Sequence, residues 1–115
     1  MEDQLELIKK TFIANSMEEL SGLKRKFVDA DKSKPDPTMA KELANDVFMV
    51  MHSISGTAPM VGLDNLAPIS RKLEVVFDKI RKGERQFTEQ IMVHAVKGID
   101  AITDELRYYS EKIAT

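Results

Sequence analysis

The sequence predicts an all-α domain, an antiparallel up-down four-helix bundle, and three observations predict it. Apolar residues recur at steps of three and four along almost the whole chain. No stretch alternates apolar and polar residues in the manner of a half-buried strand. The breaks between the apolar stripes are short and carry Pro, Gly or capping residues, so successive helices turn back on one another. The 115 residues suffice for one hydrophobic core, and residues 1–115 read as a single domain.

The first stripe places Leu5, Ile8, Phe12, Leu20, Leu23 and Phe27 on roughly one face. Ser16-Met17-Glu18-Glu19 has capping-box form, so one long helix is expected, with a bend or split near Asn15 as the variant. Residues 32–38 hold Pro35-Asp36-Pro37 and form the clearest loop, with Asp36 as N-cap and Pro37 as first helical residue of the next element. That helix carries Ala40, Leu43, Ala44, Val47, Met51, Ile54 and Ala58 as its stripe and is expected to end near Gly62. Pro59 cannot donate to the carbonyl of Ser55 and crowds it, which predicts a kink near Ser55-Gly56.

The third stripe is Leu66, Ile69, Leu73, Val76 and Ile80. Lys79, Arg81 and Lys82 fall in its last turn, where cations suit the helix dipole, and Gly83 suits the cap. Pro68, early in this helix, is a milder disturbance. Thr88 is the expected N-cap of the fourth helix, whose stripe is Ile91, Ala95, Ile99, Ile102, Leu106, Tyr109 and Ile113. Gly98 lies inside it at a cost of about 1 kcal/mol relative to alanine.

Composition excludes several functions. The chain is 43% hydrophobic and 31% charged, which marks a globular protein. It has no cysteine, hence no disulfide framework, no thiolate nucleophile and no zinc–thiolate site. This suits a reducing compartment, and a cytoplasmic location is expected. No apolar run approaches the ~18 residues of a membrane span, and Met1-Glu2-Asp3-Gln4 does not begin a signal peptide, so no membrane insertion is expected. A formal charge of −2 lacks the basic excess of a nucleic-acid binder. Met39, Met51, Met60 and Met92 read as core filler, whereas Met49 lies off its stripe as an exposed contact. Lys24-Arg25-Lys26 reads as a solvated face. The run from Lys79 to Arg85 reads the same way, or as steering for an acidic partner.

His52 is the residue with chemistry to offer. It directly follows Met51, a core position, and one residue is a rotation of about 100°, so the imidazole flanks the core instead of entering it. A helix-borne histidine with open surface beside it is a nitrogen nucleophile near neutral pH. Its own-face neighbours are Phe48, Ser55, Gly56 and Pro59. Gly56 leaves bare backbone one turn away, suited to close approach by another protein or to tight helix packing. Glu74 directly follows Leu73 and lies as far beyond Leu63 as His52 lies before it. A hairpin turning at Gly62-Leu63 therefore brings the two to one level. Glu74 is then an acceptor for one ring nitrogen, or a surface partner of Arg71 or Lys72. His94 sits beside the fourth stripe without such company, a surface or boundary residue. No metal site and no cofactor are expected from two histidines this far apart.

The order His52-x-x-x-Gly56-Thr57-Ala58-x-x-x-Gly62-Leu63-x-x-Leu66, then Leu73-Glu74, resembles the histidine-containing phosphotransfer (HPt) domain, in the version found in bacterial chemotaxis kinases. Asp78, Arg81, Gly83 and Glu84 extend the likeness. It covers roughly residues 12 to 112, and its specific part lies within 48 to 84. The resemblance implies that His52 accepts a phosphoryl group on its outward nitrogen and exchanges it with an aspartate of a response-regulator receiver domain. It also implies that a histidine kinase is a partner and that Glu74 orients the imidazole. Such a carrier is not itself a kinase, and no glycine-rich nucleotide loop is present. A monomer is the default for such a bundle.

One departure stands out. The family usually has lysine three residues after the histidine, and this chain has Ser55. Arg71, one turn before Glu74, or Lys72 is expected to supply the missing charge. Phe48, Met49, Gly56, Pro59, Met60 and Lys72 are the expected docking surface. Two other readings stay open. One is a docking module of the same shape that carries no phosphate, which Ser55 favours. The other is a helical scaffold.

Overall fold

The computed structural model describes residues 4–33 and 36–114. It contains four α-helices, α1 (Gln4–Ser33), α2 (Pro37–Thr57), α3 (Leu66–Arg81) and α4 (Glu89–Ala114), with one 3-10 turn at Ala58–Val61 between α2 and α3. The helices form an antiparallel up-down bundle. Lys26 meets Asp46 across α1 and α2 at 2.8 Å, and Lys24 meets Asp100 across α1 and α4 at 2.7 Å. These lysines therefore reach across helices, although pairs this exposed contribute little stability.

α1 is one uninterrupted helix. The capping box does not break it, and Ser16 is buried within it. The helix continues through Lys32 and Ser33, so the loop is shorter than its prolines suggest; Pro35 lies outside the described residues. Asp36 caps α2 as expected, its Oδ1 accepting from the Met39 amide at 2.8 Å. Thr88 does the same for α4, its Oγ1 accepting from the Ile91 amide at 3.2 Å.

The core holds Leu20, Leu23, Phe27, Val47, Met51, Ile54, Leu66, Leu73, Phe77, Ile80, Ile99, Ile102 and Leu106 among its buried side chains. Phe27, Phe77 and Phe87 form an aromatic cluster at the end where α1 gives way to α2 and α3 to α4, with centroids about 6 Å apart. On the third stripe Leu66, Leu73 and Ile80 are buried as expected, but two positions shift by one, to Ser70 and Phe77. Phe77 is fully buried while Val76 and Ile69 are only half-buried, because Phe77 completes that cluster. Leu5 and Ile8 are exposed, contrary to their place on the first stripe. α1 has 30 residues and α2 has 21, so the start of α1 has less of the hairpin to pack against. Met39 and Met60 are also exposed and are not core filler. Side-chain packing of Ile113 lies outside the described residues.

A 3-10 turn closed by Gly62 fixes the α2–α3 hairpin. The missing amide of Pro59 does not break α2 at Ser55-Gly56; α2 runs on to Thr57, and Pro59 sits inside the 3-10 turn. Gly62 closes that turn at φ 81°, a left-handed conformation costly for other residues, while the Leu63 amide donates to the Ala58 carbonyl at 2.8 Å. Gly83, at φ 78°, ends α3 in the same way, with the Glu84 amide donating to the Lys79 carbonyl at 2.9 Å. Gly98 has another role. A Cβ there would stand 2.8 Å from Leu73 Cδ1, so its bare backbone lets α4 lie close against α3.

Candidate functional site

The hairpin geometry brings His52 and Glu74 together. His52 Nδ1 lies 3.3 Å from Glu74 Oε2, with the imidazole 68% exposed and the carboxylate 21% exposed. The contact is long for a hydrogen bond, a common state of sites that tighten only around the reacting group. Nδ1 faces the carboxylate, so Nε2 stands at the far edge of an accessible ring. Met51, the residue before His52, is fully buried, as its place on the stripe requires.

Ser55 has a role that its position alone did not reveal. Its side chain is buried, and its Oγ lies 2.7 Å from Glu74 Oε1 and 3.1 Å from the carbonyl oxygen of His52. A hydroxyl has one proton to donate, and the shorter, charge-assisted contact to the carboxylate is the stronger claim on it. Glu74 is thus anchored through one oxygen by Ser55 and meets His52 with the other. Ser55 steadies the acid but brings no positive charge.

Arg71 and Lys72 are exposed, and among the described residues neither forms an ion pair with Glu74. The surface-pair reading of Glu74 is therefore overturned: its partners are Ser55 and His52.

A second group flanks the imidazole. The Phe48 ring stacks on the His52 ring, with centroids 5.5 Å apart and planes 15° from parallel. The Arg81 guanidinium carbon lies 3.8 Å from the Phe48 centroid. Asp78 holds Arg81 through Nε at 2.8 Å and Nη2 at 2.7 Å, and receives Lys82 Nζ at 3.0 Å. The hydrogen bond from Lys82, with that from Arg81, keeps the Asp78 carboxyl below its ordinary range despite some desolvation. Arg81 is therefore a partner of Phe48, not one more solvated charge of the Lys79–Arg85 run.

Around the histidine, Gly56, Pro59, Met49 and Met60 are exposed, the last two at 59% and 78%. Nothing lies within 4 Å of the position a Gly56 Cβ would take, so internal packing does not require this glycine. His94 is exposed and stands apart. Among the described residues no group of three or more His, Asp or Glu side chains could hold a metal ion, and no helix is long and apolar enough to cross a membrane.

Sequence reasoning missed the Ser55 anchor and the Arg81–Phe48 contact. A signal existed. Both join α2 to the residue one helical turn beyond the one level with it on α3, as side chains leaning along antiparallel helices can do.

Comparison with known proteins identifies the family. A family model described as the Hpt domain matches residues 8–109. The sensor histidine kinase CheAY of Helicobacter pylori is 29% identical over 98 residues, covering 85% of this chain and 12% of that protein. The chemotaxis protein CheA of Rhizobium meliloti is 27% identical over 97 residues, covering 84% of this chain and 12% of its own length. CheA of Bacillus subtilis is 34% identical over 77 residues, covering 67% and 11%. The chain thus spans about an eighth of these relatives. No solved structure gives a significant match.

Proposed function

The chain belongs to the Hpt domain family, the histidine phosphotransfer modules of phosphorelays, and from that premise we propose that His52 is its phosphoacceptor. The observation that carries this reading is an exposed imidazole whose Nδ1 meets a carboxylate, leaving Nε2 free. In the forward step the Nε2 lone pair attacks phosphorus and an Nε2–P bond forms. The bond from phosphorus to the donor oxygen breaks, and its electron pair leaves with the donor, a receiver aspartate carboxylate or the nucleotide of a kinase. Positive charge grows on the ring, and Glu74, anchored by Ser55, stabilises it through the Nδ1 proton. Return of the group to a receiver aspartate reverses these changes.

The domain contributes alignment and charge and little bond chemistry of its own. Arg71, one turn before Glu74 and without an ion pair among the described residues, supplies positive charge for the incoming phosphate, with Lys72 beside it. Gly56, Pro59, Met49 and Met60 form an accessible rim on which a receiver docks. The setting we propose is a cytoplasmic relay between a histidine kinase and a receiver, with this chain as carrier and not as kinase. A docking module that carries no phosphate is the second reading, favoured by the absence of a lysine at position 55.

The test is labelling from a phosphorylated receiver or a chemotaxis kinase. An acid-labile, alkali-stable phosphate is expected on the protein and is lost in His52→Gln. Arg71→Ala slows labelling without unfolding the domain, and an unchanged rate removes Arg71 from the site. Binding without label favours the docking module, and neither binding nor label leaves a scaffold.

A further inference from the structure

We propose that Phe48 and Arg81 are positioning residues that fix the plane of the His52 imidazole, an inference resting on His52 as phosphoacceptor. The Glu74 contact reaches the ring at its edge, through one nitrogen at 3.3 Å. An edge contact of that length resists sliding but leaves the ring free to swing about the line of contact. A side chain 68% exposed has little else around it to stop that swing. The Phe48 ring, 15° from parallel with the imidazole, acts on the face. Edge and face constraints are independent, and together they fix both side-chain dihedrals of a histidine.

Phe48 is itself held. It is half-buried and packs against the core from α2. Arg81 covers its ring from α3 at 3.8 Å, in the range of a cation–π contact. Arg81 has little freedom, because Asp78 takes both its Nε and Nη2. The series Asp78, Arg81, Phe48, His52 therefore runs from the last turn of α3 to the nucleophile without passing through Glu74. Arg81 makes no contact with His52 among those described, so its influence on the reaction must travel through the Phe48 ring.

This assigns Phe48 a role other than the docking contact its position suggests, and the two roles are separable. Phosphoramidate is a small donor that needs no docking surface: Nε2 attacks its phosphorus, the P–N bond breaks, and ammonia leaves. Labelling by phosphoramidate is measured for the wild type, Phe48→Leu, Phe48→Tyr, Arg81→Met and His52→Gln, with the His52 ring-proton shifts read by NMR. Phe48→Leu and Arg81→Met are expected to slow labelling about five- to tenfold, as misalignment does, and to move the His52 ring-proton shifts. Phe48→Tyr restores both. Wild-type rates in Phe48→Leu and Arg81→Met overturn the proposal. So does a defect seen only with a receiver as donor, through a higher half-saturating receiver concentration. If the wild type itself takes no label, the phosphoacceptor reading falls. The NMR shifts still judge the stack, since unchanged ring-proton shifts in both variants refute it.

Discussion

Ser55→Ala isolates the anchor of the acid. The mutation removes a buried hydroxyl that reaches Glu74 Oε1 at 2.7 Å and leaves the backbone untouched. A hydrogen bond to a charged group contributes about 1.5–3 kcal/mol. Water reaching a carboxylate that is 21% exposed recovers part of this, leaving ~1 kcal/mol. Alanine returns about 0.5 kcal/mol of helix propensity. The net loss of ~0.5 kcal/mol corresponds to a fall in Tm of roughly 2 °C for a domain of this size.

The effect on phosphorylation is larger, because nothing refunds the lost alignment when charge develops on the ring. A loss of ~1–1.4 kcal/mol at the transition state slows labelling about five- to tenfold. Phosphoramidate labelling followed against time, beside a thermal melt, measures both. Glu74→Gln is the companion variant. With the carboxylate gone, Ser55→Ala should add little further slowing, since the two residues act as one unit. An unchanged rate in Ser55→Ala refutes the anchor, and so does a full additional loss in the Glu74→Gln background.

Gly56→Ala should stabilise α2 by up to ~1 kcal/mol, because open space surrounds the new methyl. It should leave phosphoramidate labelling unchanged and slow transfer to a receiver; equal receiver kinetics would remove Gly56 from the docking surface. Asp78 should titrate below 3.8, its ordinary value, because Lys82 and Arg81 stabilise the ionised form. A depressed native pKa means that its contribution to stability is present above the unfolded value and is lost as pH falls through the native one. NMR titration of the Asp78 carboxyl carbon checks this, and a midpoint at or above the ordinary value contradicts the ion-pair geometry.

Much of the molecule was legible because its signals are local. Asp36-Pro37 and Thr88 announce helix starts through short-range chemistry, and Gly83 announces the end of α3; Gly62 closes the 3-10 turn instead, because α2 already ends at Thr57. The pairing of His52 with Glu74 needed only the position of one turn. What escaped depended on reach. Pro59 predicts a distortion of α2, but α2 ends at Thr57 and Pro59 falls in the 3-10 turn that follows. Val76 and Phe77 are adjacent, and periodicity alone did not say which one meets the aromatic cluster. Ser55 looked like a lost lysine because residue type suggests charge before it suggests aim. Only the rotamers show a hydroxyl pointing at Glu74 and a guanidinium lying on Phe48.

The contact between Gly98 and Leu73 carries a consequence for helix α4, which bears none of the site's side chains. Leu73 is the residue immediately before Glu74, and its methyl group occupies the space a larger residue at 98 would need. A larger residue at 98 therefore pushes on Leu73, the neighbour of the acid. In a saturation-mutagenesis screen scored for phosphotransfer, position 98 should be intolerant of bulk although its own helix never touches the nucleophile.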